Sequence, residues 1–433
     1  MGNKSHFFRQ SSGGGGDAFI ATFRTTSANE SITLPYVSNG TYSGTIDWGD
    51  GTVVANTYAN RTHTYINSGD YDITVLGDCV GWLFANGGDK LKIYDIKQWG
   101  NGFGFIDSDN GYFRGCTNLD ITATDVLDLD VTSAKYIFRS CSNLIGSEYI
   151  NNWNVSNISN FYQFFYQSTL FNQPLNNWDV SSSANYAYMF QDAINFNQPL
   201  SNWDTSNVGT MLFMFRNAQS FNQDISSWDF SGLTSTGSMS NFMQQKSASN
   251  YDATYYDNLL IKWASDESLG GLPNNLSLTK IDMGGIKYTA NGASARASIL
   301  ANNKAQVIND GGLDLVNSTP FISVFRTTSA NESITLPYLS NGTYSGTIDF
   351  GDGTVVANTY ANRAHTYINS GDYDITVLGE CIGFSSVNNP KLINIKQWGN
   401  GFRLIDNVNG SYFYVNQNLD ITATDTLNLE GIT

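Results

Sequence analysis

Charge is scarce in this chain. Asp, Glu, Lys and Arg make up only 14% of its 433 residues, and the acidic ones prevail, leaving a net charge of −16. That field repels a polyanion, so generic nucleic-acid binding is excluded. Histidine is nearly missing, with only His6, His63 and His365. The four cysteines, Cys79, Cys116, Cys141 and Cys381, form no CxxC pair and no Cys/His cluster at zinc spacing. No GxSxG elbow, HExxH pair or Walker loop occurs. No catalytic residue, metal site or cofactor is therefore expected. No run of about 18 apolar residues exists, so membrane insertion is not expected either. The opening stretch has neither an apolar h-region nor a cleavage site, so it does not read as an ordinary secretory signal.

Aromatic residues, by contrast, reach 14%. Together with abundant Asn, Ser, Thr and Gly they suit stacked β structure with polar ladders. Trp153, Trp178, Trp203 and Trp228 stand at a strict 25-residue spacing. Around them one phrase recurs as FNQPLNNWDVS, FNQPLSNWDTS and FNQDISSWDFS. A fixed period in this range predicts a solenoid. The tryptophans are expected to form a buried scaffold ladder rather than a carbohydrate platform. Asn172, Asn197 and Asn222 predict an amide ladder, joined by Gln173, Gln198 and Gln223. Asp179, Asp204 and Asp229 are expected to bond backbone N–H groups as caps. Val208, Met211 and Phe215 fall at helical spacing, so each coil is expected to carry a short helix. Equivalence of Phe215 with Phe242 gives the last step as 27 residues. Cys116 and Cys141, also 25 apart, are expected to be stacked buried thiols, with a bridge as the alternative. Positions between the ladders, Tyr186, Tyr188, Leu212 and Arg216, are the expected surface contacts.

Residues 1–17 read as an arm, in which His6, Phe7, Phe8 and Arg9 form an aromatic-basic tag ahead of a Gly-rich linker. Residues 18–77 alternate apolar and polar side chains between turn signals, which predicts a β-sandwich. The coils occupy 78–245, and 246–318 read as an end-cap and linker, with a helix in NYDATYYDNLLIKWA. Then the chain restarts: FRTTSANESITLPY at Phe23–Tyr36 returns at Phe325–Tyr338. A second sandwich is expected over 319–379 and the opening of a second array over 380–433. An array stopping at Thr433 leaves an apolar edge uncovered, so the chain is expected to be a fragment of a longer one.

The segment IDWGDGT…HTYINSGDYDITV resembles the PKD domain, an immunoglobulin-like module. The residues that carry the likeness are Trp48 to Thr52, His63 to Tyr65, Gly69, Tyr71 and Val75. Asp47 and Asp50, mirrored by Asp349 and Asp352, lack an EF-hand's ligand series and read as a turn rather than a calcium site. His63 and His365 are expected to close that turn. The 25-residue phrase resembles the BspA-like leucine-rich repeats of surface proteins. The expected fold is mainly β with short helices: two PKD-like sandwiches alternating with leucine-rich-repeat-like arrays. Both resemblances imply surface adhesion without catalysis. The expected protein is a virion fibre or decoration protein of a phage infecting Bacteroidetes, docked on other virion proteins by its arm. Its expected partner is a host cell-surface glycan or protein, and a homo-oligomer is expected. The alternatives are a bacterial cell-surface adhesin and the non-catalytic portion of a larger glycan-active enzyme.

Overall fold

The computed structural model describes residues 17–314, 319–405, 412–413 and 416–427. The expected arm residues His6, Phe7, Phe8 and Arg9 lie outside them. The protein is mainly β, as composition and alternation predict. It divides into two compact units. The first runs to Lys246 and takes in 265–284 and 303–309; the second holds Ser247–Ala264, Gly285–Asn302 and Asp310 onward.

The first unit opens with a sandwich. Its strands are β1 (Phe19–Thr25), β2 (Glu30–Thr33), β3 (Tyr36–Tyr42), β4 (Thr45–Asp47), β5 (Val53–Ala55), β6 (Thr62–Tyr65), β7 (Gly69–Leu76), β8 (Cys79–Trp82), β9 (Ile93–Gln98), β10 (Phe103–Gly104) and β11 (Asp120–Ile121). One sheet runs β11-β9-β1-β7-β4-β5, another β10-β8-β3, and β2 pairs with β6. In β7, alternation buries Ile73 and Val75 while Asp70 and Asp72 remain more accessible. Phe19 stacks on Phe103 at 4.4 Å and meets Trp82 edge-on at 4.9 Å in the core.

β9 lies beyond residue 77, yet it pairs antiparallel with β1 and parallel with β11. The sandwich sheet therefore grades into the coils without a gap. The GDGT turn is tight because Gly49 and Gly51 take positive φ, 78° and 90°. Asp47 and Asp50 accept the backbone N–H groups of Gly49 and Thr52, each at 2.9 Å. His63 Nε2 bonds Asp50 at 2.8 Å and its ring stacks on Trp48. The turn is thus closed by its histidine, as expected.

The coils stack by a simple rule. N–H groups of Tyr186, Tyr188, Phe190 and Asp192 donate to carbonyls of Thr210, Leu212, Met214 and Arg216 in the next coil. Those of Met189, Gln191 and Ala193 turn back three residues within their own coil. Alternate groups thus serve the stack and the turn, leaving the buried backbone satisfied. This corrects the expected helix: Val208, Met211 and Phe215 lie in consecutive turns. Phe213 and Asn217 take φ of 57°, which no right-handed helix allows. The last step is corrected too. Phe215 donates to the carbonyl of Phe242, so by the register of the preceding coils its counterpart is Met243.

Beyond the last coil the ladder continues. Met243 donates to Asp282, and Ile281–Asp282 pairs parallel with Ile308–Asn309. In the second unit, helix α1 (Ala253–Ala264) forms where predicted, and it packs against α2 (Ala290–Ala301). The Asp257 carboxylate accepts from the Thr289 N–H at 2.8 Å and from its hydroxyl. The second sandwich repeats the strand order of the first, with Phe350 in the place of Trp48. His365 again bonds Asp352, at 2.7 Å.

Candidate functional site

The coil array has a face that repeats and a face that changes. Trp153, Trp178, Trp203 and Trp228 belong to the first: all are at most 4% exposed. The indole N–H of Trp178, Trp203 and Trp228 donates to the carbonyls of Ile150, Leu175 and Leu200 in the preceding coil, at 2.8–2.9 Å. Phe165, Phe190 and Phe215 stack at 5.8 and 5.6 Å beside them. The amide ladder is present as well. The Asn172 side chain accepts from the N–H of Asn197, and that of Asn197 from Asn222, both at 2.8 Å. Asp179, Asp204 and Asp229 accept N–H groups of the residues two positions on, but they cap turns rather than helices. Cys116 and Cys141 are free and buried, and burial pushes both thiols well above their ordinary range.

Of the four expected surface residues, Tyr188, Leu212 and Arg216 are half-buried on the changing face. Tyr186 is corrected. It is fully buried, stacks on Phe161 at 5.9 Å, and its hydroxyl donates to the Val180 carbonyl. The period carried the signal, because Tyr186 stands 25 residues before Met211, an inward position.

Tyr188 is one rung of a strip that sequence reasoning missed. Tyr136 meets Tyr162 edge-on at 5.3 Å, Tyr162 meets Tyr188 at 5.4 Å, and Tyr188 stacks on Phe213 at 4.7 Å. All four rings are half-buried. Burial among its neighbours, with Tyr136 and Tyr188 adding to it, holds the Tyr162 phenol above its ordinary value. Arginines flank the rings. Arg114 and Arg139 lie over Tyr136 at 5.1 and 5.5 Å, Arg139 also over Tyr166 at 5.0 Å, and Arg216 over Phe213 at 5.8 Å.

The backbone under this strip is left-handed. φ is 62° at Tyr136, 57° at Gln163, 61° at Tyr188 and 57° at Phe213. The same row begins with Gly111 and ends with Asn241, residues that adopt this conformation easily. An aromatic residue there costs about 1 kcal/mol or more. The array thus holds bulky rings where Gly or Asn is less strained.

Four residues further along each coil, a second left-handed row contains Ser140, Gln167, Asp192 and Asn217. With Thr117, Ser142, Thr169 and Ile194 it lines a shallow groove of about 450 Å³. Its lining side chains bear hydroxyls, amides and one carboxylate besides the aliphatic Ile194, but the surface they expose into the groove is mostly apolar carbon. Ser140 bonds Gln167 at 3.0 Å and Asn217 bonds Asp192 at 2.8 Å across coils. Such a surface offers donors and acceptors in rows at the coil spacing, roughly 5 Å. It presents no nucleophile–base pair. Among the described residues no group of carboxylates, histidines or cysteines has a metal-holding arrangement, and no helix is long and apolar enough to cross a membrane.

Residues 132–256 match the family described as "Mycoplasma protein of unknown function, DUF285". That stretch holds all four rings of the strip and the whole tryptophan ladder. No curated protein and no solved structure matches the chain.

Proposed function

We propose that this protein is a non-enzymatic attachment protein that displays its coil array to a cell surface. The observation that carries the reading is the half-exposed aromatic strip, which changes from coil to coil on a scaffold that repeats. The repeat match over 132–256 and the BspA-like phrase agree with a display role. The PKD-like segments fit as spacers that hold arrays away from their support. On this reading the arm with His6, Phe7, Phe8 and Arg9 docks the protein on a phage virion, and the target is a Bacteroidetes host. A bacterial cell surface is the alternative location.

The test is adhesion of the full chain to Bacteroidetes cells, against a Tyr188→Asn/Phe213→Asn double variant of equal thermal stability. The expected result is adhesion by the parent and its loss in the variant. Equal adhesion by both overturns the strip as the contact. Location is tested separately, by probing purified virions and outer-membrane fractions for the protein. Deletion of Met1–Gly16 is expected to abolish particle incorporation and leave the fold intact; normal incorporation rules out docking by the arm.

A further inference from the structure

We infer that the Arg114–Tyr136–Arg139 stack is an anchor for the carboxylate of a linear acidic polysaccharide, whose following sugar rings lie along Tyr162, Tyr188 and Phe213. The inference rests on the attachment reading above and names its ligand.

The arginines are the first reason. Three other guanidinium groups of this chain meet carboxylates: Arg24 grips Asp70 at 2.5 and 2.8 Å, Arg326 grips Asp372 at 2.6 and 2.8 Å, and Arg296 grips Asp310 at 2.8 and 3.3 Å, whereas Arg61 and Arg363 lie over Tyr58 and Tyr360 and donate to the carbonyls of those residues. Arg114 and Arg139 have no carboxylate within ion-pair distance among the described residues, although acidic side chains outnumber basic ones, 38 to 22. Each lies over a tyrosine face, as the carboxylate-paired Arg24 and Arg296 lie over Tyr94 and Tyr288. A guanidinium over a ring retains N–H groups that can bond an anion, and its fork matches a carboxylate.

The second reason is direction. The four rings follow one another along the coil stack, so a ligand that covers them is extended and unbranched over that length. A pyranose ring presents C–H groups on its flat face, which suit the negative face of an aromatic ring. Its hydroxyls can bond polar side chains, and four residues further along each coil Ser140, Gln167, Asp192 and Asn217 carry such groups, which also bond one another. The left-handed backbone at Tyr136, Tyr188 and Phe213 is the third reason, because strain retained at surface positions points to use of the side chains.

The test is calorimetric titration of the full chain with a hexamer of galacturonic acid and with its carboxyl-reduced neutral form. The acidic hexamer is expected to bind at least about tenfold more tightly, with the difference shrinking as salt is added. Arg114→Gln/Arg139→Gln is expected to erase the preference and keep the neutral affinity. Tyr188→Asn/Phe213→Asn is expected to weaken both forms alike. Equal affinity for the two hexamers, or a preference that survives the double arginine change, overturns the anchor. Binding to neither, while the parent still adheres to cells, overturns the polysaccharide assignment and leaves the attachment reading standing. Failure of the parent to adhere to cells removes both.

Discussion

The two faces of the coil array obey opposite rules. On the buried face each coil repeats its neighbour: Trp203 lies parallel to Trp228, with centroids 6.0 Å apart and planes 5° apart. On the other face the row of Arg139 continues with Tyr166, Gln191 and Arg216, and that of Tyr136 with Gln163, Tyr188 and Phe213, all half-buried except the buried Gln163 and Gln191. Identity is needed where a side chain packs on its own copy, because interdigitating cores tolerate little change in volume. It is not needed where a side chain meets solvent. The difference places stability on one face and leaves the other free to vary.

The strongest way to break that division is to empty a rung. Trp203→Ala is expected to lower unfolding free energy by about 3–5 kcal/mol, since it removes a buried ring and the bond to Leu175. Denaturant titration measures it, and a loss below about 1 kcal/mol places the core elsewhere. Asn197→Ala is the next test. It strips the acceptor of the Asn222 N–H and of the Gln223 amide, so about 1–3 kcal/mol is expected by the same measurement.

Acid gives a smaller effect. The Ser206 hydroxyl and N–H hold the Asp204 carboxylate below its ordinary 3.8. A depressed carboxylate contributes stability above its unfolded value and loses it as pH falls through the folded one. Thermal unfolding is therefore expected to weaken below about pH 4, less steeply in Asp204→Asn. Identical acid slopes in the two proteins rule out this contribution. Smallest of all is the effect of Phe213→Asn on stability. Relief of the left-handed backbone offsets the lost stack on Tyr188, so a change within about 1 kcal/mol is expected. A loss above about 3 kcal/mol makes Phe213 part of the scaffold and merges the two faces.

Much of this was legible from spacing. The tryptophan and amide ladders follow from a 25-residue period, because identical residues one period apart must stack. The GDGT turn and its histidine followed from residue chemistry. Helix α1 followed from its apolar spacing. The helix expected at Val208–Phe215 shows where spacing misleads. Two tight turns in succession bring Val208, Met211 and Phe215 inward at intervals of three and four, as a helix does. What separates the two is the sign of φ at Phe213 and Asn217, and nothing in those residue types announces it. Tyr186 was misplaced for a related reason: its neighbour Tyr188 is two residues away and nearly identical in chemistry, yet one ring points in and the other lies in the strip.

The sequence by itself determined the period, the restart after one full unit and the residues that stack in register, since these depend only on like residues recurring at equal intervals. Only the tertiary structure decided which rings reach solvent and which charges stay unpaired. Arg114, Tyr136, Arg139 and Tyr162 come from three different coils, and what unites them is a side-to-side contact that the stacking of coils creates.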